Sequence, residues 1–266
     1  MAGFFADLGP WAADPLVRGA AGLVLGAIAG SFLATILIRW PQGRGAMTGR
    51  SHCDACDAAL GPAELVPVLS YLLARGRCRR CAARIDPRHL AVELAAALIG
   101  VVSFLAHSLP LGLVSALLGW WLLLVALLDL EHHWLPDRLT LPLIPLGLVV
   151  AWTGLGPLLV ERLAGAAIGW GGLALIALGY RSLRGREGLG GGDPKLFGAL
   201  GAWVGAFHLP FVLLGAGLIG LASVLLMRAR GEAVGATTRL PLGTFLALAG
   251  WPIWLIVATR PLFGIQ

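Results

Sequence analysis

Hydrophobic positions in this chain come in long unbroken runs, not in the alternation of a strand or the single stripe of a surface helix. Apolar stretches of about 17 to 25 residues, enough to cross a hydrocarbon core, recur near 16–38, 90–107, 111–128, 139–158, 163–180, 196–209, 211–227 and 240–259. The pattern predicts about eight transmembrane helices, with the sixth short. Pro142, Pro145 and Pro210 are placed to kink or end the fourth and sixth spans. No repeat period is evident.

Composition sharpens that reading. Only 13% of the 266 residues are charged and 58% are hydrophobic, with a mean hydropathy of +0.84; soluble domains carry about 25% charged residues. The expected fold class is therefore an all-α polytopic membrane protein. The first fifteen residues carry no basic stretch and no small-residue cleavage site, so they read as retained and the first span as an anchor.

Basic residues fall unevenly between the loops. In an eight-span arrangement 17 of the 20 lie on one side, nine of them arginines from Arg39 to Arg88, and Arg18, Arg162 and Arg260 lie on the other. Loops rich in arginine and lysine stay in the cytosol. Both termini are thus expected outside, and the charged segments inside. The net charge of +6 then reflects topology and contact with anionic lipid, and no nucleic-acid partner is expected.

The largest charged segment, residues 40–88, holds all four cysteines as Cys53-x-x-Cys56 and Cys78-x-x-Cys81, with 21 residues between the pairs. Two such knuckles suit a tetrahedral zinc site with four thiolate ligands. A segment of roughly 50 residues buries too little surface to hold itself, and a metal staple meets that need. A reducing cytosol argues against disulfides, whereas a thiol oxidoreductase would have a titratable one. Arg77, Arg79 and Arg80 either hydrogen-bond the thiolates or hold the loop on the lipid surface. The expected division is 1–39 with the first span, 40–88 as a small cytoplasmic zinc domain, and 89–266 as a membrane domain.

Two carboxylates stand at membrane borders: Asp129 ends the third span in LVALLDLEHHWLPD, and Asp193 opens the sixth after GLGGG. Acidic groups at such depth are costly unless paired or functional. Brought together, two carboxylates share a proton, and one activates water while the other protonates the departing group. Glycines ahead of Asp193 would let the backbone approach an extended peptide closely. The alternative makes both residues simple helix ends, Asp193 being an N-cap and Pro194 the first helical position. The residues alone leave both readings open.

Six stretches, in order and across nearly the whole chain, resemble the type IV prepilin peptidase family: GSFLATILIRWP (30–41), the paired CxxC with LSYLLARGRCRRC, AVELAAALIG, LDLEHHWLPDRLTLP, GLGGGDPKLFGALGAWVG and PLGTFLALAGW. The run Gly190, Gly191, Gly192, Asp193 is also similar to the GxGD element of membrane aspartyl proteases. The resemblance implies that Asp129 and Asp193, 64 residues apart, are catalytic, with Gly190 and Gly192 in support and no metal needed for proteolysis. It implies cleavage of the basic leader of prepilins or pseudopilins after a glycine, on the cytoplasmic face of a bacterial inner membrane. N-methylation of the new N-terminus from S-adenosylmethionine follows, and the cysteine domain is associated with that step and with zinc. The sequence departs from the family at Ala34, where asparagine is common, at Pro194, and in PLGTF, where PFGPF is common; none of these is expected to touch the proposed carboxylates. No GxGxxG marks a place for the methyl donor.

Several polar residues remain. Asp137 is a rival for the first catalytic carboxylate, with an N-cap of the fourth span as its alternative. Lys195, the only lysine, either stabilises an ionised Asp193 or anchors to lipid phosphate. Glu93 reads as a dipole partner early in the second span, His132 and His133 as residues facing headgroups and water, and the tryptophans mostly as an interfacial belt. Asp129, Glu131 and Asp137 against Arg138 give residues 129–138 a net charge of minus two, an expected attractor for a basic leader. Outside the protease reading, a zinc-bearing scaffold or a proton-coupled transporter would also own membrane carboxylates.

Overall fold

The computed structural model describes residues 14–45, 51–185, 188–235 and 238–259. The N-terminal stretch expected to be retained lies outside them, as do Arg50, Arg186 and Arg260 of the topology argument. The elements in chain order are α1 (Pro15–Arg39), α2 (Leu69–Leu73), α3 (Pro87–Ala106), α4 (Leu111–His132), α5 (Asp137–Thr140), α6 (Leu143–Trp152), α7 (Leu159–Arg184), α8 (Asp193–Val204), α9 (Leu209–Ala229) and α10 (Leu242–Val257). Among the described residues there is no strand, only two isolated antiparallel bridges. Five helical runs, Pro15–Gln42, Pro87–Ala106, Leu111–His132, Leu159–Arg184 and Ala206–Ala229, are long and apolar enough to cross a membrane. The other apolar helices are shorter: α6 has 10 residues, α8 has 12 and α10 has 16.

The chain falls into two compact units, Met1–Trp120 and Trp121–Gln266, whose boundary runs through α4. In the first unit α1 and α3 each begin on an Asp-Pro pair. Asp14 accepts from the Leu16 N–H at 2.8 Å and Asp86 from the Arg88 N–H at 2.9 Å, so each caps its helix with proline at the first position. Gly22, Gly26 and Gly30 line one face of α1 at four-residue spacing. A Cβ on any of them would strike the backbone of α3 at Gly100, Ala96 or Glu93. The two helices therefore touch main chain to main chain, the small-residue packing that lipid-embedded helices use. At the other end of α3, Arg18 donates to the Phe104 carbonyl at 2.7 Å and the Leu105 carbonyl at 2.8 Å, satisfying carbonyls that a helix C-terminus leaves open.

The cysteine segment does contain a repeat, contrary to the expectation from the sequence. Cys53 N–H donates to Ala58 O, Asp57 N–H to Cys53 O and Leu60 N–H to Ser51 O; 25 residues on, Cys78 donates to Ala83, Ala82 to Cys78 and Ile85 to Gly76. Asp57 and Ala82 share a left-handed backbone at φ 57° and 58°. The repeat is a pattern of backbone bonds around each CxxC, and the side chains outside the cysteines hide it.

In the second unit α8 is the central element. Every residue of it except Lys195 is buried, as befits a helix that is apolar on all sides. Gly165 and Gly169 of α7 meet Gly201 and Phe197 of α8 backbone to backbone, Gly147 of α6 lies against Ala202, and Gly250 of α10 against Leu200. Proline does not end the sixth helix: α8 stops at Gly205, at φ 77°, and Pro210 lies in the first turn of α9. The fourth span does break at proline, with Pro142 between α5 and α6.

One expectation is refined and one corrected here. Trp120, Trp203 and Trp254 are buried, not interfacial, and the first two donate to the Ala96 and Leu143 carbonyls. Arg162, assigned to an outer loop, is 0% exposed. It donates to the carbonyls of Pro157 at 2.9 Å, Gly147 at 2.7 Å and Leu155, and its guanidinium sits 5.3 Å from the Trp254 ring centre.

Candidate active site

Asp129 and Asp193 come from different helices of the second unit and are both buried, at 5% and 6% exposure. Leu135 packs against Gly192, which precedes Asp193, and against Gly243, which lies beside the Asp129 carboxylate. Asp129, near the end of α4, is placed by α10. Its Oδ2 accepts from the Thr244 N–H at 2.8 Å and lies 3.3 Å from the Thr244 hydroxyl, which also donates to the Ala126 carbonyl at 2.8 Å. Thr244 is in the first turn of α10, so its N–H is one that the helix leaves unpaired. Asp129 thus caps α10 from another helix, where the dipole favours negative charge.

Asp193 is the first residue of α8, and Gly192, not Asp193, is the capping residue. The Asp193 carboxylate turns back to accept from the Gly190 N–H at 2.9 Å. Its burial follows from the burial of α8 as a whole. Pro194 costs no hydrogen bond in that first turn.

Gly192 has φ −82°, which any residue adopts. What it provides is space: a Cβ there would lie 2.5 Å from the Leu135 Cβ. On the other side of Leu135, a Cβ on Gly243 would lie 2.7 Å from Leu135 Cδ1 and 3.0 Å from Asp129 Oδ2. Leu135 is therefore clasped between the glycine that precedes Asp193 and the glycine that precedes Thr244. Sequence reasoning missed Leu135, Gly243 and Thr244. PLGTF was taken not to touch the carboxylates, and in the structure its Thr244 holds Asp129.

Asp137 and Lys195 form an ion pair with each other. Lys195 Nζ lies 2.6 and 2.8 Å from the two Asp137 oxygens, so among the described residues its carboxylate partner is Asp137 and not Asp193. Asp137 opens α5 as its first helical residue after Pro136, not as the cap. Glu131 lies 3.7 Å from His132 Nε2. Glu93 is also reassigned: it is buried, and it accepts from the Val68 N–H of the cysteine segment at 2.7 Å.

In the first unit the ligand atoms of Cys53, Cys56, Cys78 and Cys81 all lie within 4.8 Å of one another, and the sulfurs of Cys53 and Cys81 are 3.9 Å apart. Zn–S bonds of about 2.3 Å in a tetrahedron require S···S edges near ~3.8 Å, so this donor set fits a zinc ion. The backbone N–H groups of Cys81 and then Arg80 lower the Cys78 thiol to about 7. Cys81, although the Ala83 N–H acts to lower it, is pushed up to about 11 by the Cys56 thiol and by burial. The thiols compete for one another's protons, a conflict that a dication replacing those protons removes. It is the backbone of Arg80 that reaches Cys78, with N to Sγ at 3.4 Å.

Comparison with known proteins matches residues 24–107 to the bacterial peptidase A24 N-terminal domain and residues 116–225 to the type IV leader peptidase family. The prepilin leader peptidase/N-methyltransferase of Dichelobacter nodosus is 38% identical over 216 residues, covering 80% of this chain and 74% of that protein. The protein of the same description from Stutzerimonas stutzeri is 36% identical over 267 residues, covering 90% and 91%. The type 4 prepilin-like proteins leader peptide-processing enzyme of Escherichia coli O78:H11 is 35% identical over 266 residues, covering 90% and 93%. No solved structure matches the chain. With both parts matched in order and relatives aligned along most of its length, this chain belongs to the type IV leader peptidase family.

Proposed function

We propose that this protein is a membrane aspartyl endopeptidase that removes the basic leader of prepilins or pseudopilins and then N-methylates the new N-terminus. The observation that carries the proteolytic half is the pair Asp129 and Asp193, brought from 64 residues apart into one buried site with separate hydrogen-bond anchors. Asp129, held by the N-terminus of α10, keeps negative charge and takes a proton from water as the water oxygen attacks the scissile carbonyl carbon. Asp193, with one backbone donor, supplies a proton to the carbonyl oxygen. Collapse of the tetrahedral species breaks the C–N bond and returns a proton to the leaving nitrogen. No metal takes part.

The domain assignment follows that reading: residues 40–88 are a cytoplasmic zinc domain tied to methylation, held by Cys53, Cys56, Cys78 and Cys81, and residues 89–266 are the membrane peptidase domain. The active site faces the cytoplasm of a bacterial inner membrane, where Glu131 and its acidic neighbours draw in the leader. S-adenosylmethionine supplies an electrophilic methyl group when bound. The test is processing of a co-expressed prepilin in membranes by the native chain and by Asp129→Asn and Asp193→Asn, with product mass read in the same experiment. Loss of cleavage in both variants and one added methyl on the native product are expected. Cleavage surviving both substitutions would return the chain to the scaffold reading.

A further inference from the structure

A cavity of about 420 Å³ opens within the first unit, bordered by the end of α1, the two cysteine knuckles, α2 and the start of α3. That volume is in the range of small-molecule sites. Its wall carries charges of both signs that have no oppositely charged partner among the described residues. Glu93 lines it at 6% exposure. One Glu93 oxygen accepts from Val68 N–H, and His89 stands one turn earlier on the same helix and also lines the cavity. Among the described residues no lysine or arginine pairs with it, and a buried carboxylate without a cation is costly.

The opposite case stands on the second knuckle. Arg77 and Arg84 face each other across an isolated antiparallel bridge, so their side chains leave the same face with like charge beside like. Both line the cavity, and among the described residues neither has an acidic partner. Three other arginines of the wall are matched, Arg39 and Arg44 sharing Asp54 and Arg88 pairing with Asp86, while Arg79 on the same knuckle adds to the positive side. The cavity therefore suits a ligand that bears a cation and a carboxylate together.

We infer that this cavity binds S-adenosylmethionine, with Glu93 taking the sulfonium and Arg77 and Arg84 the carboxylate, while Tyr71 on the same wall offers an aromatic face to the adenine. The inference rests on the methylation reading above and gives the donor a place. In the transfer, the lone pair of the product amine forms the new C–N bond, the S–CH3 bond breaks with its electron pair staying on sulfur, and the proton shed by nitrogen passes to water. Cys53 and Cys78 also border the cavity, so a metal held by the four thiols would shape the donor's wall.

The test is calorimetric titration of the full chain in nanodiscs with two probes, S-adenosylmethionine and S-adenosylhomocysteine, which lacks the sulfonium charge. Glu93→Gln is expected to weaken S-adenosylmethionine by about tenfold or more while leaving S-adenosylhomocysteine within about twofold. The Arg77→Gln/Arg84→Gln double variant is expected to weaken both probes by about tenfold or more. Equal loss of both probes in Glu93→Gln would make that residue structural and overturn the sulfonium assignment. Binding unchanged in every variant would overturn the cavity. The mass of cleaved product from the native preparation separates the two claims: a methylated product with variant-insensitive binding sinks the site alone, and an unmethylated product with no donor binding sinks the methylation reading itself.

Discussion

Thr244 holds Asp129 by its backbone N–H at 2.8 Å, with its hydroxyl 3.3 Å from the same oxygen, across 115 residues of sequence. The catalytic role proposed for Asp129 thus depends on a residue of the last described helix. Thr244→Val keeps the N–H and removes the hydroxyl, whose one proton goes to the Ala126 carbonyl. It is expected to lower kcat for prepilin cleavage by about threefold to tenfold, the worth of one neutral hydrogen bond, while Thr244→Ser stays near native. A native rate in the valine variant would show that the hydroxyl does not matter to the reaction.

The clasp on Leu135 makes a contrasting pair of predictions. Gly192→Ala would put a Cβ against the Leu135 Cβ at 2.5 Å, which only backbone movement relieves. Gly243→Ala would meet the Leu135 methyls at 2.7 and 2.9 Å. Adding Leu135→Ala should therefore restore cleavage to Gly243→Ala in part and not to Gly192→Ala. Rescue of both, measured as kcat/KM, would contradict the geometry.

The pair of Lys195 and Asp137 is half exposed, with side chains at 33% and 54%, and such pairs contribute about 0–1 kcal/mol. Lys195→Met is expected to cost no more than about fivefold in kcat/KM, and the exchange Asp137→Lys with Lys195→Asp is expected to recover it. A loss of several hundredfold in Lys195→Met would give that ammonium a direct part in the chemistry.

Much of this architecture was legible because membrane burial writes long apolar runs that begin at Asp-Pro pairs, and because the cysteine spacing and the motifs around Asp129 and Asp193 are local. What was not legible is contact between distant segments. PLGTF gives no sign in itself that Thr244 caps against Asp129, and the glycines at 22, 26 and 30 look like ordinary apolar filler until α3 lies against them. Arg162 misled for a physical reason. A charge at the edge of an apolar run normally marks a loop, and this one is buried by three carbonyls that gather around it.

That cage makes a stability prediction. Arg162→Met leaves the carbonyls of Pro157, Gly147 and Leu155 without their donor, a cost of about 3 kcal/mol or more. A Tm in detergent several degrees lower is expected, and Arg162→Lys should not restore it, since an ammonium cannot reproduce the planar fork. An unchanged Tm would mean that the carbonyls find other donors.

Removing the metal should separate the two activities. One zinc per chain is expected by elemental analysis, and a strong chelator or Cys78→Ser should abolish methylation of the product while leaving cleavage, for which no metal is proposed. Equal loss of both activities would tie the cysteine cluster to proteolysis as well.

The central claim is that Asp129 and Asp193 act as one catalytic unit, and a double-mutant cycle on cleavage rate tests it most directly. Residues that work together are strongly non-additive. The single variants Asp129→Asn and Asp193→Asn are each expected to lose about a thousandfold or more in kcat, and the double variant no more than either alone. Additive losses, or a single variant that keeps near-native cleavage, would contradict the pairing.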